Sequence, residues 1–113
     1  PARSNGLDIE HLAEEVEDLG KSQRLTVESL FRRLFQHLLK IEFHPTAEAR
    51  RKWRGEVAEF RVQIQAELGS SPSLRARREE LARTGWRLGV RAFEEDLRLD
   101  APDRLRWFRS LLN

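Results

Sequence analysis

Between His11 and Gly20 the chain reads HLAEEVEDLG, an imidazole and four carboxylates (Glu14, Glu15, Glu17, Asp18) within ten residues. Those groups bind divalent metals or move protons, and helix-borne Glu-x-x-His patterns build di-metal centres when they project into a bundle. On a helical wheel of about 100° per residue, with His11 at zero, Glu15 falls near 40°, Asp18 near 340° and Glu14 near 300°. His11, Glu15 and Asp18 therefore form a ladder at i, i+4, i+7, while Glu10, Glu14 and Glu17 turn further toward water. Ile9, Leu12, Val16 and Leu19 occupy roughly 80–160° on the same wheel, a stripe expected to be the buried edge. The ladder borders that stripe without facing it. Three readings stay open: a solvated face favoured by the helix dipole, a polar surface for a partner, and a metal or acid/base site using His11, Glu15 and Asp18. The first is preferred, and neither a metal nor another cofactor is expected.

His37, in the sequence QHLLK, lies near 80° on a continuous helix, on the apolar stripe. A histidine there is read first as a core residue with one nitrogen satisfied by a neighbour. In one continuous helix it stands about 39 Å from His11; if the chain turned back near Gly20 the two would still be offset by roughly 9 Å. A metal ligand sits about 2 Å from its ion, so neither arrangement makes them one site.

The elements that must carry these residues are helices. Residues 1–7, PARSNGL, read as a flexible lead-in, with Asp8 as an N-cap. Apolar positions then recur every three or four residues from Ile9 through Val27, Leu30, Leu34 and Leu38 to Ile41, the helical period. Gly20–Ser22 offers a possible break, but the stripe keeps its phase across it, which favours one long helix from Asp8 to about Glu42. His44-Pro45 ends that helix and Thr46 is expected to cap the next, whose stripe is Trp53, Val57, Phe60, Ile64 and Leu68. Ser71-Pro72 opens a third helix with a cap and a proline at its first position. Its apolar positions run from Leu74 to Leu97, with Gly85 and Gly89 inside. Each glycine costs about 1 kcal/mol of helix propensity against alanine, and close approach of a neighbouring helix is the expected compensation. Asp100-Ala101-Pro102 starts a last short helix. No segment alternates with period two, so no sheet is expected.

Composition narrows the functional classes. The chain of 113 residues suits one domain, residues 1–113, and has 21 basic against 19 acidic side chains. The sequence pI of about 9.7 thus reflects a formal excess of only +2, far short of a nucleic-acid binder's field. Arginines do cluster, at Arg50–Arg54, Arg75–Arg78 and Arg104–Arg109. Each cluster has acids at helical pairing distance, which favours salt-bridged surface over nucleic-acid contact. There is no cysteine, hence no thiol chemistry, and a reducing cytoplasm is expected. No apolar run approaches a membrane span, no Gly-x-Ser-x-Gly elbow is present, and no glycine-rich loop follows a strand.

The combination of LDIEHLAEEVEDLGKSQ, LFQHLLK, His44-Pro45, Trp53-Arg54 and SPSLR resembles the bacterial family catalogued as domain of unknown function twenty-nine. The likeness runs from about Leu7 to about Phe93, and the chain departs from the family's usual ending after Leu97. The resemblance implies an all-helical fold and no established activity. It directs attention to His11, Glu14, Glu15, Glu17, Asp18, Gly20, His37 and Lys40, which match the family's motif.

The fold expected is an all-α antiparallel bundle of four to five helices with a long N-terminal helix. A second apolar flank on that helix, Phe31, Phe35 and Leu39, is expected to be an interaction surface. The leading functional expectation is a non-enzymatic protein-interaction or self-associating module, with a protein partner or homo-oligomer, no membrane and no nucleic acid.

Overall fold

The structure, a computed structural model, describes residues 2–112 of the backbone and side chains from Ile9 to Leu112. Among the described residues are five helices and no strand: α1 (Ala2–Phe43), α2 (Arg50–Ser70), α3 (Pro72–Ala76), α4 (Arg78–Asp100) and α5 (Pro102–Leu112). The long first helix is continuous through Gly20–Ser22. It starts at Ala2, so the expected lead-in is helical from that residue and Asp8 is an interior position instead of the cap. Thr46 is not the cap of α2 either. That helix starts later, after Ala49, without a capping side chain, and the Thr46 N–H turns back to donate to His44 Nδ1 at 3.1 Å. Ser71 does cap α3, its hydroxyl accepting from the Leu74 N–H at 3.2 Å, with Pro72 following. Arg75 closes the end of α2 by donating to the carbonyls of Leu68 and Gly69, each at 3.0 Å, where a helix leaves carbonyls unsatisfied.

Two glycines set the architecture. A Cβ built on Gly85 would lie 2.3 Å from Phe31 Cβ, and one on Gly89 would lie 2.9 Å from the Arg32 carbonyl oxygen. Neither glycine has a positive φ, so what they supply is space. Phe31 meets Gly85 and Phe35 meets Gly89, so the pairing advances in step along both helices and α1 and α4 run parallel. Helices adjacent in the chain are antiparallel, which places α2 on the other side of α1.

The core has three linked parts. Val27, Leu74 and Leu81 close the α3 corner. Leu30, Leu34, Val57 and Ile64 join α1 to α2. Leu39, Phe93, Leu97, Leu105 and Phe108 join α1, α4 and α5, with the Phe93 and Phe108 rings edge to face at 4.8 Å. All of this lies on the C-terminal half of α1. At 1.5 Å per residue, α1 is about 63 Å long, whereas α2 and α4 reach roughly 32 and 35 Å. The expected burial of Ile9, Leu12, Val16 and Leu19 is therefore corrected: their exposures are 65, 58, 68 and 60%. Phe31, Phe35 and Leu39 are corrected in the opposite sense. They are not a free flank: α4 covers them through Gly85 and Gly89, and Leu39 is buried in the core.

Glycine substitutions should separate these roles by sign. Gly85→Ala should destabilise by about 1–3 kcal/mol, because the new methyl meets a rigid Cβ and backbone. Gly55, with nothing within 4 Å of a built Cβ, should gain about 0.5–1 kcal/mol as alanine. Thermal melts should show Tm falling in the first variant and rising in the second.

Candidate functional site

The residues that prompted chemical readings fall into two separate regions of α1. The first is the arm, residues 9–19 of α1, whose side chains are all exposed. Its apolar stripe is spaced 9, 12, 16, 19, the repeat of a coiled-coil seam. Ala13 and Gly20 sit beside the stripe, and space at Gly20 is open apart from Arg24 Nη1 at 3.6 Å from a built Cβ. Between Ile9 and Leu19 there are five carboxylates (Glu10, Glu14, Glu15, Glu17, Asp18) and no lysine or arginine. The remainder of the chain then carries +7, since the total is +2 and the arm contributes −5. Glu15 and Asp18 border one edge of the stripe; Glu10, Glu14 and Glu17 lie further round, on the outer face. His11, Glu14, Glu15 and Asp18 are all exposed. His11 and His37 stand on one continuous helix, about 39 Å apart, and so do not share a site. Among the described residues no group of three His, Asp or Glu side chains is arranged to hold a metal ion.

The second region is a polar junction where α1 is tied to α2 and α4. His37 faces acceptors at both nitrogens, the Arg33 carbonyl 2.8 Å from Nδ1 and Glu56 Oε2 2.6 Å from Nε2. A carbonyl only accepts, so Nδ1 donates to it. The Phe60 ring meets the imidazole edge to face at 5.1 Å. One turn on, Asp96 of α4 accepts from the Gln36 amide at 2.8 Å and pairs with Lys40 at 3.6 Å. The ammonium also lies 5.4 Å from the Trp53 ring centroid, a cation–π contact. At the end of α1, His44 is buried. Its Nδ1 accepts from Thr46, leaving Nε2 to donate to Asp100 at 3.2 Å, while Trp53 packs on its edge.

Each polar group at the junction thus has a partner on a neighbouring helix or in its own backbone, and aromatic rings fill the space between. The arrangement fixes helix register. Sequence reasoning placed His37 on the packed side but did not find Glu56, Asp96 or Asp100. Their pairings join residues far apart in the chain, and nothing local signals them.

Of the three arginine clusters only the last forms an ion pair among the described residues, Arg109 with Glu94 at 3.3 Å, so the expected salt-bridged surface is not found at the other two. Outside the clusters Arg83 pairs with Glu79 at 2.7 Å. Arg98 forks onto Glu95 through Nε at 2.9 Å and through Nη2, and this hydrogen bonding holds the Glu95 carboxyl below its usual value. Arg104 lies over the Trp107 ring, 5.3 Å from its centroid. Arg87 and Arg91 make no salt bridge among the described residues. With Trp86, Val90, Glu94 and Leu112 they line a groove between α4 and α5. No helix among the described residues is long and apolar enough to cross a membrane.

Stability measurements should distinguish the two regions. Asp96→Ala strands the Gln36 amide and the Lys40 ammonium and should cost about 1–2 kcal/mol, with Asp96→Asn costing less because an acceptor remains. His11→Ala should change stability by less than about 0.5 kcal/mol, as expected for an exposed position. Urea midpoints at constant m-value provide the comparison.

No curated protein and no solved structure shows significant similarity to the chain. A family model does match, over residues 2–108, nearly the whole of the all-helical unit described above. The chain belongs to that family, described as domain of unknown function DUF29.

Proposed function

We propose that the protein is a non-enzymatic interaction module whose working surface is the arm of α1, and that it self-associates through that surface. One observation carries the reading: Ile9, Leu12, Val16 and Leu19, spaced as a coiled-coil seam, are each more than half exposed. Scattered apolar residues on a surface mean little, but a contiguous stripe marks a binding face. The stripe amounts to roughly 400 Å², within the size range of the largest apolar patches on monomers, which are often functional. At about 25 cal/mol per Å², covering it gives roughly 10 kcal/mol gross. Association costs about 4–15 kcal/mol in lost freedom, which leaves at most about 6 kcal/mol, so the expected contact is weak and reversible, about tens of micromolar at the favourable end. The polar junction supports the non-enzymatic half of the reading, because its acids and bases are matched to one another and hold helices together. The ladder of His11, Glu15 and Asp18 then serves as the polar border of the interaction face.

Sedimentation velocity over a range of concentrations tests the proposal. The native chain should move from monomer to a larger species in the micromolar range. Leu12→Gln combined with Val16→Gln should stay monomeric while far-UV circular dichroism and Tm hold within about 2 °C, as exposed positions allow. A native chain that stays monomeric at about 100 μM, or a variant that associates like the native chain, removes the reading.

A further inference from the structure

We infer that the occupant of the arm is a second copy of this chain, and that the arm docks into the groove between that copy's α4 and α5. The inference rests on the arm being an interaction surface and adds what the arm binds. Its argument is charge and shape complementarity between two exposed surfaces of one molecule.

The arm presents an apolar stripe with Glu15 and Asp18 along one edge and Glu10, Glu14 and Glu17 on its outer face, and it has five acids and no lysine or arginine between Ile9 and Leu19. The groove presents the complement. Trp86 is 43% and Leu112 46% exposed, Val90 forms the floor between them, and Arg87 and Arg91 stand at its edge without salt-bridge partners among the described residues. The groove's one acid, Glu94, is already paired with Arg109. The lengths agree as well: Ile9 to Leu19 spans about 15 Å of helix and Trp86 to Glu94 about 12 Å. An acidic amphipathic helix laid into an apolar groove rimmed by arginine is a recurrent mode of recognition.

The contact must be between molecules. The arm is continuous with the half of α1 locked against α4, and a continuous helix cannot fold back onto its own domain. Arm against arm is the other self-pairing, since 3-4-3 spacing reads the same in both directions. It would bring two sets of five acids together with no base to offset them, and like charges across an interface select against a pairing.

Sedimentation velocity with charge reversal decides between them. In the native chain, raising salt from about 0.1 to about 1 M shortens the screening length from about 10 to about 3 Å, and association should weaken. Arg87→Glu with Arg91→Glu, and separately Glu15→Lys with Glu17→Lys, should each weaken it at least about tenfold, the scale expected when charge complementarity is inverted. A chain carrying all four substitutions should regain association, because acid and base have then exchanged places. Circular dichroism of each variant checks that the helices persist. Association that needs Leu12 and Val16 but is indifferent to Arg87 and Arg91, or that strengthens with salt, overturns the groove and leaves the arm as the interaction surface. Failure of the fourfold variant to associate while both doubles remain folded also overturns it. A chain monomeric throughout overturns the groove and the reading beneath it together.

Discussion

The close approach of α1 and α4 at Gly85 and Gly89 is the constraint from which the other contacts follow. With a Cβ on Gly85 only 2.3 Å from Phe31 Cβ, the two backbones are nearer than any larger residue allows. That distance fixes both separation and register. It brings Trp86 edge-on to Phe35 at 5.5 Å and Asp96 within reach of Gln36 and Lys40. It also sets Phe93 and Leu97 beside Leu39. A parallel pair cannot be joined by a short turn, so α2 and α3 serve as the return, and their cores with α1 complete the bundle. Two glycines weaken α4 by about 1 kcal/mol each as an isolated helix; the packing they permit exceeds that loss.

The same register decides what is left uncovered. Leu81 and Leu74 pack against Val27, and N-terminal to that point on α1 the side chains of residues 9–19 are exposed. The arm is helical because it extends a helix already nucleated in the bundle, where each added residue propagates at little cost. Alone, a segment of that length would be marginal in water. The arm is thus held in shape by the bundle while its apolar face lies open.

Much of this was legible from residue spacing. The all-helical composition, the Ser71-Pro72 start of α3 and the close packing at Gly85 and Gly89 follow from period, cap chemistry and the absence of a side chain, whereas the break between α3 and α4 at Arg77 divides what the spacing reads as one helix. What failed did so for one reason. Periodicity reports which face of a helix is apolar and carries no information about which neighbour covers it. Ile9 to Leu19 and Phe31 to Leu39 are both apolar rows on α1, and they exchanged roles: the row expected to be core is open, and the row expected to be open is packed. Helix lengths could have corrected this, since α2 and α4 are too short to cover all of α1. The junction was beyond reach of the sequence, because His37 with Glu56 and Lys40 with Asp96 are matched by tertiary register alone.

The acids of HLAEEVEDLG acquire a physical role in this setting. An open apolar stripe on a projecting helix would pair with any similar stripe, its own copies first. Two like charges about 10 Å apart in water cost about 0.4 kcal/mol, and two arms side by side would create many such pairs. Their sum takes a sizeable share of the roughly 10 kcal/mol the stripe offers. The same carboxylates are an advantage against a face whose arginines lack partners. In the proposed association, hydrophobic area therefore sets how strongly the arm binds, and the carboxylates set what it binds. Seen this way, the ladder of His11, Glu15 and Asp18 does not need a metal or a substrate to account for its place beside the stripe. It is the part of the surface that distinguishes a basic partner from another arm.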